Sequence, residues 1–147
     1  MEPRILIAEP DADLLKPLVS SLSAGGYAVI PVATGLETLK QARAFLPEII
    51  ILDSRLPDID GLAVCDILRR LPSTATTPII LMTWSGQAAR PVSAETGPDI
   101  CLTKPFTPGE LAERIVETLS RWREIRLDRA TLDQFADLEP RIDCSEV

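Results

Sequence analysis

The chain has 147 residues, enough for one ordinary domain and a short appendage. With 46% hydrophobic and 25% charged residues it has the balance of a globular protein, and its net charge of −7 excludes a nucleic-acid-binding surface. No apolar run approaches the roughly 20 residues that a membrane-spanning helix needs. The complete lack of histidine removes Ser-His-Asp and Cys-His nucleophiles, His-ligated metals and any phosphohistidine carried on this chain. Carboxylates, hydroxyls and lysine remain for chemistry. Residues 1–8 lack the basic flank and cleavage site of a signal peptide, so a cytoplasmic protein is expected. Cys65, Cys101 and Cys144 are odd in number and widely spaced. They read as reduced thiols, the first two in the core, since they match neither a disulfide framework nor a zinc site.

Along the chain, residues 4–8 form a short apolar run ending in acid, and residues 11–24 place Leu14, Leu15, Leu18, Val19 and Leu22 at helical spacing. Gly25 and Gly26 close that helix. Residues 27–32 give a second strand, and residues 34–45 a helix with Leu36, Leu39, Ala42 and Leu46 on one stripe, stopped by Pro47. The run 48–53, without alternation, is the pattern of a parallel strand covered on both faces. A helix follows over 61–71, a strand over 78–82 and a short strand over 100–102. Thr107-Pro108-Gly109-Glu110 is a capping box with proline at the first helical position, and it opens a last helix. Strands alternating with helices predict an α/β fold, a flavodoxin-like, doubly wound five-stranded parallel sheet with helices on both faces. Residues 1–123 form the domain, and residues 124–147 a C-terminal helical extension and tail.

In such a sheet chemistry gathers at the carboxyl ends of the strands. Glu9 follows the first strand, Asp53 the third, Thr83 ends the fourth and Lys104 follows the fifth. Four separated positions converge on one edge only if the sheet forms.

These residues, with Asp53-Ser54-Arg55-Leu56-Pro57-Asp58-Ile59-Asp60-Gly61 and Leu102-Thr103-Lys104-Pro105-Phe106, resemble the receiver domain of bacterial response regulators over about residues 4–122. The resemblance implies a CheY-like signalling module of a two-component system or phosphorelay. It would be an enzyme only in the sense of self-phosphorylation. Asp53 would accept a phosphoryl group from a histidine kinase, a phosphotransfer protein or a small phosphodonor. Lys104 would supply fixed positive charge, with a Lys-Pro bond typically cis, and the Thr83 hydroxyl would bind a phosphoryl oxygen. Glu9, Asp53 and the Arg55 backbone carbonyl match the metal ligands, Mg²⁺ being the family's cation. Pro57 and Gly61 would shape the loop beneath the site.

The sequence also departs from the family pattern and so reads as an atypical, stand-alone receiver. Where the family has two acids after the first strand, this chain has Glu9-Pro10, so Mg²⁺ loses a direct ligand and its binding is expected to be weak or absent. Asp11 is better read as the N-cap of the first helix. Trp84 stands where the family has a small residue, either covering Asp53 or packing outward. Cys101 replaces the usual aromatic switch, and Pro91 breaks the helix expected within 85–97. Two readings therefore stay open: a phosphorylation switch, or a degenerate receiver acting as a phosphorylation-independent interaction or dimerisation module.

Two other classes are set aside. A mononucleotide binder would not place Glu9-Pro10-Asp11-Ala12-Asp13 in its phosphate loop, and a dehalogenase-type phosphatase needs its Asp-x-Asp in a larger domain. In the extension, Leu111, Ile115, Leu119, Trp122 and Ile125 form one stripe; Leu127, Thr131, Phe135 and Leu138 form a second. The second stripe either folds back on the domain or forms a homodimer or partner contact. With three basic and seven acidic side chains, residues 124–147 are too short and too acidic for a DNA-binding effector. Output is expected to pass through a downstream protein partner, with neither nucleic acid nor membrane.

Overall fold

The computed structural model describes residues 2–84 and 96–127, with side chains through Arg121 in the last helix. In chain order the elements are β1 (Arg4–Ala8), α1 (Ala12–Ala24), β2 (Ala28–Val32), α2 (Gly35–Phe45), β3 (Ile49–Asp53), α3 (Gly61–Arg70), β4 (Ile79–Trp84), β5 (Ile100–Lys104) and α4 (Pro108–Leu127). The five strands form one parallel sheet in the order β2-β1-β3-β4-β5. The expected fold class is the observed one. The broken helix expected within 85–97 and the extension beyond residue 127 fall, wholly or mostly, outside the described residues. Among the described residues no helix is long and apolar enough to cross a membrane.

Every residue of β3 is buried, as an unalternating Ile-Ile-Ile-Leu-Asp run requires of a central strand. Strand alternation splits the core in two. Ile5, Ile7, Ile49, Ile51, Ile80, Met82 and Leu102 pack with Leu18 and Leu22 of α1 and Leu111, Ile115 and Leu119 of α4. Leu6, Ala8, Ile50, Leu52, Ile79 and Leu81 pack on the other face with Ala42 of α2 and Val64, Cys65 and Leu68 of α3. Pro31 is accommodated because β2 is an edge strand.

Asp11 and the Thr107 capping box act as the sequence reads, and Thr34 and Asp60 add two caps it did not name. The Asp11 side chain accepts from Asp13 N–H, Thr34 from Glu37 N–H, Asp60 from Leu62 N–H and Thr107 from Glu110 N–H. Gly26, with φ of 91°, closes α1. The α2 stripe corrects the sequence reading. Leu36 and Leu46 are 52% and 51% exposed, while Gly35, Thr38 and Ala42 face the core. Leu46 sits beyond the helix at φ of 51°, and the Arg4 guanidinium donates to the carbonyls of Phe45 and Leu46. Cys65 is a buried free thiol as expected. Cys101 is instead disulfide-bonded and only half-buried against the α2–α3 side of the core, so the reading of it as a reduced core thiol is corrected.

The N-terminus of α2 has a second cap from far along the chain. The Asp58 carboxylate accepts from Gly35 N–H at 2.7 Å and Leu36 N–H at 2.9 Å, tying the β3–α3 loop to α2. Those two backbone donors hold the carboxyl below its ordinary value of 3.8. A depressed folded-state pKa contributes stability that is complete above the ordinary value and lost as pH falls through the folded one. Denaturation midpoints measured between about pH 4 and pH 2 should fall less steeply in Asp58→Asn than in the unmodified chain.

Candidate functional site

Three ionisable side chains meet at the carboxyl ends of β1, β3 and β5. Lys104 Nζ donates to both Glu9 Oε1 and Asp53 Oδ2. Glu9, Asp53 and Lys104 are 1%, 2% and 5% exposed, so a sealed triad of one cation and two anions occupies the edge. Its geometry comes from alternation. Glu9 continues the row of Ile5 and Ile7, Asp53 that of Ile49 and Ile51, and Lys104 that of Leu102, all on the α1–α4 side. Asp53 and Lys104 are the last residues of their strands rather than the first beyond them.

The remaining oxygens are held by backbone. Asp53 Oδ1 accepts from Arg55 N–H at 2.6 Å, and Glu9 Oε2 from Asp11 N–H at 3.2 Å. The Arg55 amide therefore turns its N–H to the carboxylate. Burial raises the Glu9 carboxyl above its ordinary value of 4.5; Lys104 and the Asp11 amide oppose that shift, and the neighbouring Asp53 charge adds to it. The Lys104–Pro105 peptide bond is cis.

Thr83 reaches the same edge by another row. It pairs with Thr103, one residue beyond the Met82 that faces Asp53, and continues the row of Leu81 toward α2 and α3. Among the described residues its hydroxyl makes no hydrogen bond and does not join the triad. β4 runs past Thr83 to Trp84, which faces Lys104 across the strand pair. The indole is 39% exposed, and Lys104 Nζ lies 5.1 Å from its ring centroid. Trp84 thus lies against the lysine, a cation–π contact worth about 0.5–2 kcal/mol.

Gly61 fixes the floor of the site. Its N–H donates to Ser54 O, and a Cβ on it would stand 2.3 Å from the Asp53 carbonyl oxygen and 2.7 Å from Ser54 Cα. Only hydrogen fits where α3 begins against the strand end. Gly61→Ala should cost about 1–3 kcal/mol in urea denaturation, the range of an overpacked core. It should also move the backbone of Asp53, visible as amide shifts at Asp53 and Ser54.

Sequence reasoning missed Asp58, whose two acceptor bonds come from residues 22 and 23 positions away. It also missed Arg69 and Asp99, an ion pair of 2.6 Å between a buried guanidinium and a partly buried carboxylate at the opposite end of the sheet. Arg69 gave no signal within its helix; Asp99 could have been noticed as an acid directly before an apolar strand.

The family model for the response regulator receiver domain matches residues 5–116. The phosphate regulon transcriptional regulatory protein PhoB of Rhizobium meliloti (strain 1021) is 34% identical over 143 residues, covering 89% of this chain and 63% of that protein. The chain spans about half the length of several other curated relatives it matches. Among solved structures, the receiver domain of a signal transduction histidine kinase from Syntrophus aciditrophicus is 30% identical, with a TM-score of 0.70 over 80% of this chain and 90% of that one. The receiver domain of sensor histidine kinase PA1611 from Pseudomonas aeruginosa PAO1 is 28% identical, with a TM-score of 0.69 over 83% of this chain and 98% of that one. That structure has a magnesium ion coordinated in its active-site cleft.

The donor set here does not fit such an ion. Magnesium demands near-octahedral oxygen ligation. Both carboxylates already converge on the Lys104 ammonium, and Pro10 brings no oxygen side chain. Asp11 is committed to capping α1, and no group of three or more acidic, Cys or His ligands occurs among the described residues.

Proposed function

The chain belongs to the response regulator receiver domain family, a two-component signalling module, and from that membership we propose that Asp53 is its phosphoacceptor. A histidine kinase or phosphotransfer protein is the donor, and a protein partner, in the cytoplasm, reads the result. An Asp53 carboxylate oxygen forms the new bond to phosphorus as the donor's phosphorus–nitrogen bond breaks, and the electron pair leaves with the imidazole. Phosphoryl transfer asks little covalent chemistry of a protein beyond position and charge.

The observation that carries this reading is the Lys104 ammonium set directly on the buried Asp53 carboxylate. The phosphoryl group brings further negative charge, and the ammonium follows it from Glu9 and Asp53 to a phosphoryl oxygen. The Thr83 hydroxyl, free of hydrogen bonds among the described residues, has a donor to give. No step here runs through a metal.

A second reading, a degenerate receiver that binds its partner without phosphorylation, is favoured by two specific facts. Asp53 is 2% exposed with both oxygens engaged, and Pro10 removes an acid from the first loop. Incubation with acetyl phosphate followed by intact-mass measurement separates the two. One added phosphoryl mass, absent in Asp53→Asn, is expected. No gain in the unmodified chain, with gain only in Pro10→Asp supplied with Mg²⁺, would favour the second reading.

A further inference from the structure

Lys104 owes its place to the register of β5, which among the described residues is an edge strand bonded to β4 alone. In that register Ile80 faces Ile100 and Trp84 faces Lys104. Ile100 and Leu102, on the same row as Lys104, pack toward α1 and α4. A slip of one residue would turn that whole row to the other face and take the ammonium away from Glu9 and Asp53. Edge strands are the elements least constrained against such slips, because only one side is bonded.

The residue immediately before β5 is Asp99. Its N–H donates to Ile79 O at 2.8 Å, and its Oδ2 accepts from Ile79 N–H at 2.8 Å and from Arg69 Nη2 at 2.6 Å. Arg69 projects from α3, its side chain only 2% exposed, and also donates to the carbonyls of Gly97, Ala75 and Thr77 at 3.4, 3.3 and 2.5 Å. One guanidinium therefore grips the chain entering β4 and the chain entering β5. The reciprocal pair of bonds between Asp99 and Ile79 exists in one register only, since a slip moves the carboxylate off the Ile79 amide.

We propose that Asp99, held by Arg69, is a positioning residue for Lys104: it sets the register at the start of β5 and so seats the ammonium between Glu9 and Asp53 at its end. The proposed role of Asp53 enters only in what the seated ammonium then does.

Lysine footprinting of the full chain tests this. The chain has three lysines, of which Lys16 and Lys40 are exposed and Lys104 is 5% exposed. Under brief treatment with acetic anhydride, peptide mass spectrometry should find Lys104 protected relative to the other two. Asp99→Ala should raise its labelling by about tenfold or more, the mark of a local opening, while Lys16 and Lys40 keep their rates. Asp99→Asn keeps an oxygen for the Ile79 amide, loses the charge that holds Arg69 and should show a smaller rise; it carries the comparison if the alanine variant folds poorly. A merely structural loss is controlled by Ala42→Gly in α2, on the other face of the sheet, which should leave Lys104 protected. Protection retained in both Asp99 variants, or an equal rise in Ala42→Gly, would overturn the proposal. Because no phosphoryl group is involved, this test and the mass measurement on Asp53 fail separately.

Discussion

Lys104→Met should be among the most damaging single substitutions in this chain, costing about 3–5 kcal/mol at neutral pH, as expected when one partner of a buried ion pair is removed. Methionine keeps the length of the stem but leaves Glu9 and Asp53 facing each other, 1% and 2% exposed, without a cation between them. The penalty should depend on pH in a definite direction. Burial already raises the Glu9 carboxyl above its ordinary value, with Lys104 among the groups that restrain it. A carboxyl with a raised folded-state pKa contributes stability below its ordinary value, which is lost as pH rises through the folded one. Without Lys104 that folded value rises further, so the gap between variant and unmodified chain should widen toward neutral pH and narrow in acid. Urea denaturation at about pH 7.5 and pH 5 reads this directly. Asp53→Asn should behave differently. One ammonium faces two carboxyl groups, so Asp53→Asn still leaves Glu9 its cation, and the substitution should cost far less than Lys104→Met. A Lys104→Met penalty that is small and flat with pH would mean that the ammonium is not the counter-charge of the site.

The second large effect lies at the other end of the sheet. Arg69→Met should also cost about 3–5 kcal/mol, because it removes a guanidinium with a 2% exposed side chain from the Asp99 carboxylate that it holds at 2.6 Å. It also strips one donor each from the carbonyls of Ala75, Thr77 and Gly97. Arg69→Lys should recover only part of that loss. A lysine ammonium is a point charge and cannot span the carboxylate and three carbonyls as a planar guanidinium does. Guanidinium chloride denaturation of the three proteins checks this, with the midpoint of the lysine variant between the other two. A loss below about 1 kcal/mol for Arg69→Met would place this pair with ordinary surface ion pairs.

The fold was legible because its signals are local and mutually consistent. The run at residues 48–53 shows no alternation, the pattern of a strand covered on both faces, and strands alternating with helices point to a parallel sheet with a helix layer on each side. Asp11, Thr34, Asp60 and Thr107 each cap a helix within three residues of themselves, a distance at which sequence spacing carries the information. Glu9, Asp53, Thr83 and Lys104 were expected at one edge because each ends or follows a strand of a parallel sheet, and alternation in the structure then sets Thr83 on the other face from the other three. What sequence could not carry was partner choice across the fold. Glu9 accepts from Lys104, 95 residues away, a pairing that spacing along the chain does not show. Asp58 read as a loop residue, yet it caps a helix that precedes it by more than twenty positions. Arg69 sits in the last turn of a helix, where basic residues are usual, so nothing marked it as buried. The α2 stripe failed for a related reason: Gly35 and Thr38 face the core while two leucines do not, because the close approach of Ile59 and Val64 to Gly35 leaves no room for a large side chain.

The role of Asp53 is most directly tested by locating the phosphoryl group. After incubation with acetyl phosphate, borohydride reduction converts an aspartyl phosphate to homoserine, which peptide sequencing by mass spectrometry assigns to one residue. Homoserine at position 53 is the expected result, reduced in yield when Lys104 is replaced by methionine. Homoserine at another carboxylate, or none at any position under conditions that modify a conventional receiver, would contradict it.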